Sequence, residues 1–227
     1  MANHAYMRVW TRDFTDQTMI AEFARFLTTA PLIEGKGKFQ SLTVQAVDAT
    51  EMPVDELDLK DTTFGAAEVA ALAAQHINDD TAYVVQARWE LWTFDMETLT
   101  WKTEPQPLVL ICQGVAYDGG AAATDGHFHA DLGFEHLFTG HAGLLAPGAA
   151  KNPFDSSDHP VEKTFRNWMA GNPENLRLYH QKTRENIQKL FGWVEALEAA
   201  LPMERSELWS EGEDNFEARL DAILAQR

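Results

Sequence analysis

Hydrophobic and polar positions alternate along several segments of the chain, and each of these segments predicts a β strand. A period of two places successive side chains on opposite faces of a sheet. The segments are residues 5–11, 39–47, 54–59, 82–94, 99–117 and 127–133. Turn residues 95–98 predict that the fourth and fifth strands form a hairpin, with Pro105 and Pro107 interrupting the return strand.

Apolar residues at intervals of three or four predict helices between and after these strands. The predicted helices cover residues 15–30, 63–78, a short segment from Pro160, 172–202 and a last segment around Leu220. The chain is therefore predicted to be an α+β protein. Its β-α-β-(β)-α first half has the element order of a ferredoxin-like unit and continues into an antiparallel meander. We predict a sheet domain over residues 1–150 and a helical segment over 151–227 that packs on it.

Charge narrows the range of partners. Against 18 Lys and Arg residues stand 35 Asp and Glu residues, which gives a formal net charge of −17. Nucleic acids and anionic membranes are recognised mainly through Lys and Arg, so neither is an expected partner. A basic protein is the expected one, although high charge also serves solubility.

The N-terminal sequence and the single cysteine bear on the compartment. The chain has one cysteine, Cys112, in an apolar run, which cannot form an internal disulfide. The first ten residues lack the apolar core of a signal peptide, and no stretch is apolar enough for a membrane span. The expected location is the cytoplasm.

Four of the eight histidines lie between residues 127 and 141. On a strand, His127, His129 and Asp131 would share one face, and two imidazoles with a carboxylate suit zinc or a similar divalent metal. His136 and His141 are the residues that could complete such a ligand set. The simpler interpretation is that these are the ordinary polar side chains of a strand with one face on the core.

The pattern His127-x-His129-x-Asp131 resembles the metal motif of the metallo-β-lactamase superfamily over five residues. Many members of that superfamily have another histidine after the aspartate, where this chain has Leu132. The predicted element order also differs from that fold. The resemblance implies a metal-dependent hydrolase, whereas pairing of His129 with Asp131 alone would suit acid–base chemistry without a metal.

Two functions follow from these observations, with a third for the aromatic hairpin. The leading hypothesis is a protein-interaction domain without a cofactor, similar to an immunity or antitoxin protein that binds a basic partner. The alternative is a metal-dependent hydrolase that uses the histidine cluster. Trp89 and Trp92 are candidates for a ligand pocket, although cross-strand packing explains them equally well.

Overall fold

A computed structural model describes residues 3–141 and 160–225. Within these residues seven strands form one antiparallel sheet in the order β3-β2-β4-β5-β6-β1-β7. The strands are β1 (His4–Thr11), β2 (Phe39–Ala46), β3 (Asp55–Asp58), β4 (Thr81–Asp95), β5 (Thr100–Gln113), β6 (Phe128–Phe134) and β7 (Met203–Ser210). Strands β3 and β7 are thus the two edges of the sheet.

Helices lie in several of the connections between strands, and one helix follows β7. They are α1 (Asp16–Thr29), α2 (Ala66–Ala73), α3 (Ala122–Asp125), α4 (His136–Thr139), α5 (Pro160–Gly171), α6 (Pro173–Ala200) and α7 (Phe216–Ala225). Together with the antiparallel sheet, they confirm the predicted α+β class and the packing of the C-terminal helices on the sheet. In the described residues no helix combines the length and the apolar character needed to cross a membrane.

The core lies between one face of the sheet and the helices. In β1 the side chains of Ala5, Met7 and Val9 are fully buried, while the alternate residues Tyr6 and Arg8 are partly exposed. The same alternation continues in the neighbouring strands, so the opposite face is partly open to solvent. We call the part of that face formed by β6, β1 and β7 the open face.

The sheet order differs from that of a ferredoxin-like unit. In that unit the strands joined by the first helix are separated by a single strand. Here β1 and β2 are parallel and are separated by three strands, β6, β5 and β4. The element order was therefore right, but the predicted ferredoxin-like arrangement is wrong, because β1 pairs with strands from much later in the chain.

The predicted interruption of β5 at Pro105 and Pro107 is also wrong. The strand is continuous. Gly114 N–H donates to Thr81 O, so even-numbered residues of β5 direct their N–H groups toward β4. The odd-numbered positions, which include Pro105 and Pro107, face away from β4 on their N side. Strand β6 pairs only with residues 109–112 of β5. Neither proline therefore removes a bond that the ladder requires.

Residues 203–210 form β7, which the hydrophobic pattern did not predict. Leu208 is the only large apolar residue of β7 that is buried, because this strand lies at the edge of the sheet. The C-terminal segment thus contributes a strand as well as helices, and β7 pairs with β1. The predicted domain boundary at residues 150 and 151 lies outside the described residues.

Candidate functional site

His127 has different neighbours from His129 and Asp131. Strand β6 begins only at Phe128, and Gly126 before it has a φ of 93°, which turns the chain. The His127 imidazole stacks on Phe14 with ring centroids 4.2 Å apart, and its Nδ1 accepts a hydrogen bond from Thr11 N–H at 3.1 Å. Burial lowers the pKa of His127.

His129 and Asp131 do lie on the same face of β6, as predicted, but they contact different groups. Nδ1 of His4 lies 2.9 Å and 3.0 Å from the two carboxylate oxygens of Asp131, which also accepts from Gly133 N–H. The His129 imidazole instead lines a small cavity on the open face. Burial lowers the pKa of His129, so the ring is neutral near pH 7.

His136 and His141 lie elsewhere, at either end of α4. Their ring centroids are 4.3 Å apart, and His141 also contacts the hydroxyl of Tyr179 on α6. Burial, with a smaller contribution from His136, lowers the pKa of His141 to about 3. These two rings are therefore uncharged near neutral pH and contribute to packing.

The five predicted ligands thus occupy three separate places. Over residues 3–141 and 160–225, no group of three or more His, Cys, Asp or Glu side chains has an arrangement that could hold a metal ion. A structural or catalytic zinc site uses at least three protein ligands. Metal binding by this cluster stays a prediction, and the geometry does not add support to it.

The two tryptophans proposed for a ligand pocket have different surroundings. Trp89 is completely buried and packs against Phe138 and Trp193 in the core. The ring of Trp92 is partly covered by the ammonium group of Lys182, 3.6 Å from the ring centroid. Ligand binding by these residues stays a prediction.

Trp92 lies in the part of β4 that extends beyond its neighbour β2, whose pairing ends at Ala87. The side chain of Asn186 on α6 bonds both the N–H and the C=O of Trp92, at 2.8 Å and 2.9 Å. This amide group therefore satisfies the edge of β4 in place of another strand. Beyond it, Phe94 and Trp101 of the hairpin pack against Phe165 and Tyr179.

A second surface, near the β3 edge of the sheet, has a composition that the sequence analysis did not single out. Residues 47–55, 77–80 and 115–118 contain six carboxylates and no Lys or Arg. They also hold five of the eight large apolar side chains that are exposed in the described residues. These five are Val47, Met52, Val54, Ile77 and Val115. We call these three segments the acidic apolar surface.

Backbone hydrogen bonds join the three segments into one surface. Val47 donates to Asp80 O at 2.9 Å and accepts from Asp118 N–H at 2.7 Å. Ala116 N–H donates to Asp79 O at 2.8 Å. The β2–β3 loop is therefore held against the start of β4 and the turn that follows β5.

The geometry of the β2–β3 loop keeps its charge in place. Oδ1 of Asp48 accepts from Thr50 Oγ1 at 2.6 Å and from Thr50 N–H at 2.7 Å. These hydrogen bonds lower the pKa of Asp48, so its carboxylate is ionised at neutral pH. Met52 and Val54 follow in the same loop, with 86% and 55% of their surface exposed.

The sequence did carry a signal for this surface. Asp48 to Asp61 stands out as an acidic stretch, which reads as a solvated face because exposed loops are commonly charged. A solvated face does not account for the exposed apolar side chains of Met52 and Val54, which lie within this stretch. Ile77 and Val115 could not be assigned to the same surface before the strand order was known.

Comparison with protein-family models, curated proteins and solved structures gives no significant match to this chain.

Proposed function

We propose that this protein binds a basic protein partner through the acidic apolar surface. The supporting observation is that exposed apolar side chains, above all Met52 and Val54, lie among carboxylates with no basic residue in the same segments. Protein interfaces combine an apolar centre with a polar rim, and methionine is enriched in them. An immunity or antitoxin protein that covers the cationic site of a toxin would need such a surface.

The distribution of charge supports a directed interaction rather than general solubility. Residues 44–80 contain nine Asp and Glu residues and one Lys, a net charge of −8 out of −17 for the whole chain. Carboxylates concentrated on one surface raise the rate at which a positively charged protein associates. If solubility were the sole reason for the charge, we would expect acidic residues to be spread evenly.

Exposure of the apolar residues supports the same proposal. Single exposed apolar residues are common, but a contiguous group of them often marks a binding surface.

The test is affinity capture with the immobilised protein, followed by a binding titration with the purified partner. We expect a basic protein that is identified by mass spectrometry and released by about 0.5 M NaCl, since salt screens exposed charges. The double variant Met52→Ser/Val54→Ser should weaken its binding by at least about tenfold, because each residue would lie near the centre of the contact.

Two controls separate this surface from the rest of the molecule. Leu176→Ser removes an exposed apolar side chain on α6, and Glu195→Gln/Glu198→Gln neutralises two exposed carboxylates of the same helix. Both variants should bind like the wild type, whereas Glu51→Gln/Asp79→Asn should slow association at low salt. Equal binding by the surface variants and the controls would contradict the proposal, as would an acidic partner.

The hydrolase hypothesis has less support. It requires three or more of the predicted ligands to converge, and they lie in three separate places. Elemental analysis of untagged protein tests it directly: zinc, iron, manganese or nickel near one equivalent, reduced in His129→Ala, would favour a metal enzyme over an interaction domain.

A further inference from the structure

The open face contains a cavity that is separate from the acidic apolar surface. Its volume is about 260 Å³, and its lining residues are Tyr6, Arg8, Asp125, His129 and Trp209. They come from β1, α3, β6 and β7, so the cavity forms only when distant parts of the chain meet. A cavity of about 150 Å³ holds benzene, and pockets for drug-sized ligands begin at about 300 Å³, so this one suits a single substituted ring.

Aromatic side chains form a firm wall of the cavity. Tyr6 and Trp209 are cross-strand partners whose rings stack with centroids 4.4 Å apart. The Tyr6 hydroxyl donates to Oε1 of Glu211 at 2.9 Å, which holds the ring in position. The guanidinium carbon of Arg8 lies 4.8 Å from the Trp209 centroid. A ligand would therefore meet a preformed apolar surface, which limits the entropy lost on binding.

The charges that line the cavity cancel, but not every polar group there has a hydrogen-bond partner. The Arg8 guanidinium lies 3.4 Å from the Asp125 carboxylate, so the lining carries no net charge when His129 is neutral. Neither ring nitrogen of His129 has a hydrogen-bond partner among the described residues. The cavity thus offers an imidazole and a paired guanidinium and carboxylate.

We propose that this cavity binds a neutral ring that carries hydroxyl groups, with pyranose sugars as the ligand class. A hydroxyl group both donates and accepts, so it can accept from Arg8 and donate to His129 or Asp125. The apolar face of the ring would pack against the aromatic wall. A charged ligand is disfavoured because Arg8 and Asp125 already neutralise each other and a further charge would be desolvated without a partner.

The test is ligand-observed saturation-transfer NMR with the full chain. The probes are glucose, galactose, mannose and N-acetylglucosamine, with glucosamine, galacturonate and phenol as charged and non-sugar comparisons. We expect at least one neutral sugar to bind with a dissociation constant of about 1 mM or lower. Absence of binding by every neutral sugar would overturn the proposal, as would stronger binding of phenol or of a charged analogue.

Substitutions of the lining residues test whether a sugar binds in this cavity. His129→Ala and Asp125→Ala should each weaken binding by at least about tenfold, since each leaves a ligand hydroxyl without a partner. Asp131→Asn is the matched control: it lies on the same face of β6 but does not line the cavity, and binding should persist. Circular dichroism and the melting temperature establish that each variant is folded. Equal binding by folded His129→Ala and wild type would overturn the proposal.

Discussion

The two edges of the sheet differ in how they are covered: a helix packs against β7, whereas the loop before β3 exposes apolar side chains. At the β7 edge, α7 packs against the strand and buries Phe216, Leu220 and Ile223. The carboxylate of Glu217 on that helix accepts from Leu208 N–H at 2.8 Å, so an edge amide has a partner within the chain. At the β3 edge, the last strand has four residues, and the loop before it exposes Met52 and Val54.

The two edges therefore differ in how they are protected from association with another strand. Uncovered strand edges promote association, and proteins protect them with helices, short strands or charged side chains. The β7 edge is protected by a helix, whereas the β3 edge is protected by its short length and its carboxylates alone. Charges of one sign repel another copy of this chain but attract a basic partner, which agrees with the proposed function.

The largest effect on the free energy of unfolding should come from Gly114, which packs against the Asp79 segment of the acidic apolar surface. A Cβ atom added at Gly114 would lie 2.2 Å from the backbone oxygen of Asp79, which has no freedom to move aside. Gly114→Ala should therefore lower the free energy of unfolding by about 3 kcal/mol, measured by urea denaturation. It should also weaken partner binding, because the Asp79 segment belongs to that surface.

Gly192→Ala is the matched control for that substitution. Gly192 lies within α6, and an added Cβ would meet nothing within 4 Å. Alanine there should stabilise the protein by up to about 1 kcal/mol through helix propensity. Similar behaviour of the two alanine variants would show that the contact between Gly114 and Asp79 is not constrained.

Acidification should have the next largest effect on the free energy of unfolding. The half-buried His136 and His141 lie at the two ends of α4, which contacts α7 near the β7 edge. The pKa of His141 is about 3 in the folded protein, below the ordinary value of 6.5. The unfolded chain therefore binds more protons below pH 6.5, and stability is complete above that pH and falls as the pH decreases toward 3. One such group contributes about 1.4 kcal/mol per pH unit in this window, or about 2 kcal/mol between pH 6.5 and 5.

Urea denaturation at several pH values measures this slope. His141→Phe removes the group and should flatten the slope between pH 6.5 and 5, where most carboxylates remain ionised. His180→Phe serves as a comparison, since the pKa of His180 is also lowered by burial but its Nε2 contacts the backbone oxygen of Ile223. An unchanged slope in His141→Phe would assign the pH dependence to other groups.

Removing the side chain that caps the β7 edge should have a smaller effect on the free energy of unfolding. Glu217→Ala leaves Leu208 N–H without its acceptor and should lower the free energy of unfolding by about 1 kcal/mol. The freed edge should also increase self-association in analytical ultracentrifugation. Asp221→Ala, at an exposed position of the same helix, should change neither quantity by a comparable amount. If both variants behave alike, Glu217 does not protect the edge.

The smallest effect on stability should come from the exposed residues of the β3 edge. Met52→Ser/Val54→Ser should change the free energy of unfolding by less than about 0.5 kcal/mol, because both side chains already contact water. The same variant is predicted to weaken partner binding strongly. A large loss of stability in thermal denaturation would instead indicate that these residues support the fold.

Strands and helices with a buried face were predicted correctly because their periodicity is local. Alternation identified β1, β2, β4 and β6, and three- to four-residue spacing identified α1 and α6. Strand β7 was missed because an edge strand with one large buried apolar residue has little pattern. Of the predicted site residues, His129 and Asp131 share a face of β6, whereas His127 lies just before the strand, which starts one residue later than predicted, and stacks on Phe14.

The sequence by itself determined the α+β class, the strong negative charge and the face that each regular strand buries, since each depends on composition or on neighbours a few residues apart. Tertiary structure decided which strands are adjacent. Pairing of β1 with β6 and β7 brings Tyr6, His129 and Trp209 to one cavity, and the backbone contacts of Val47 gather three distant segments into one acidic surface. Such contacts depend on the sum of many weak interactions over the whole sheet, and no local pattern encodes them.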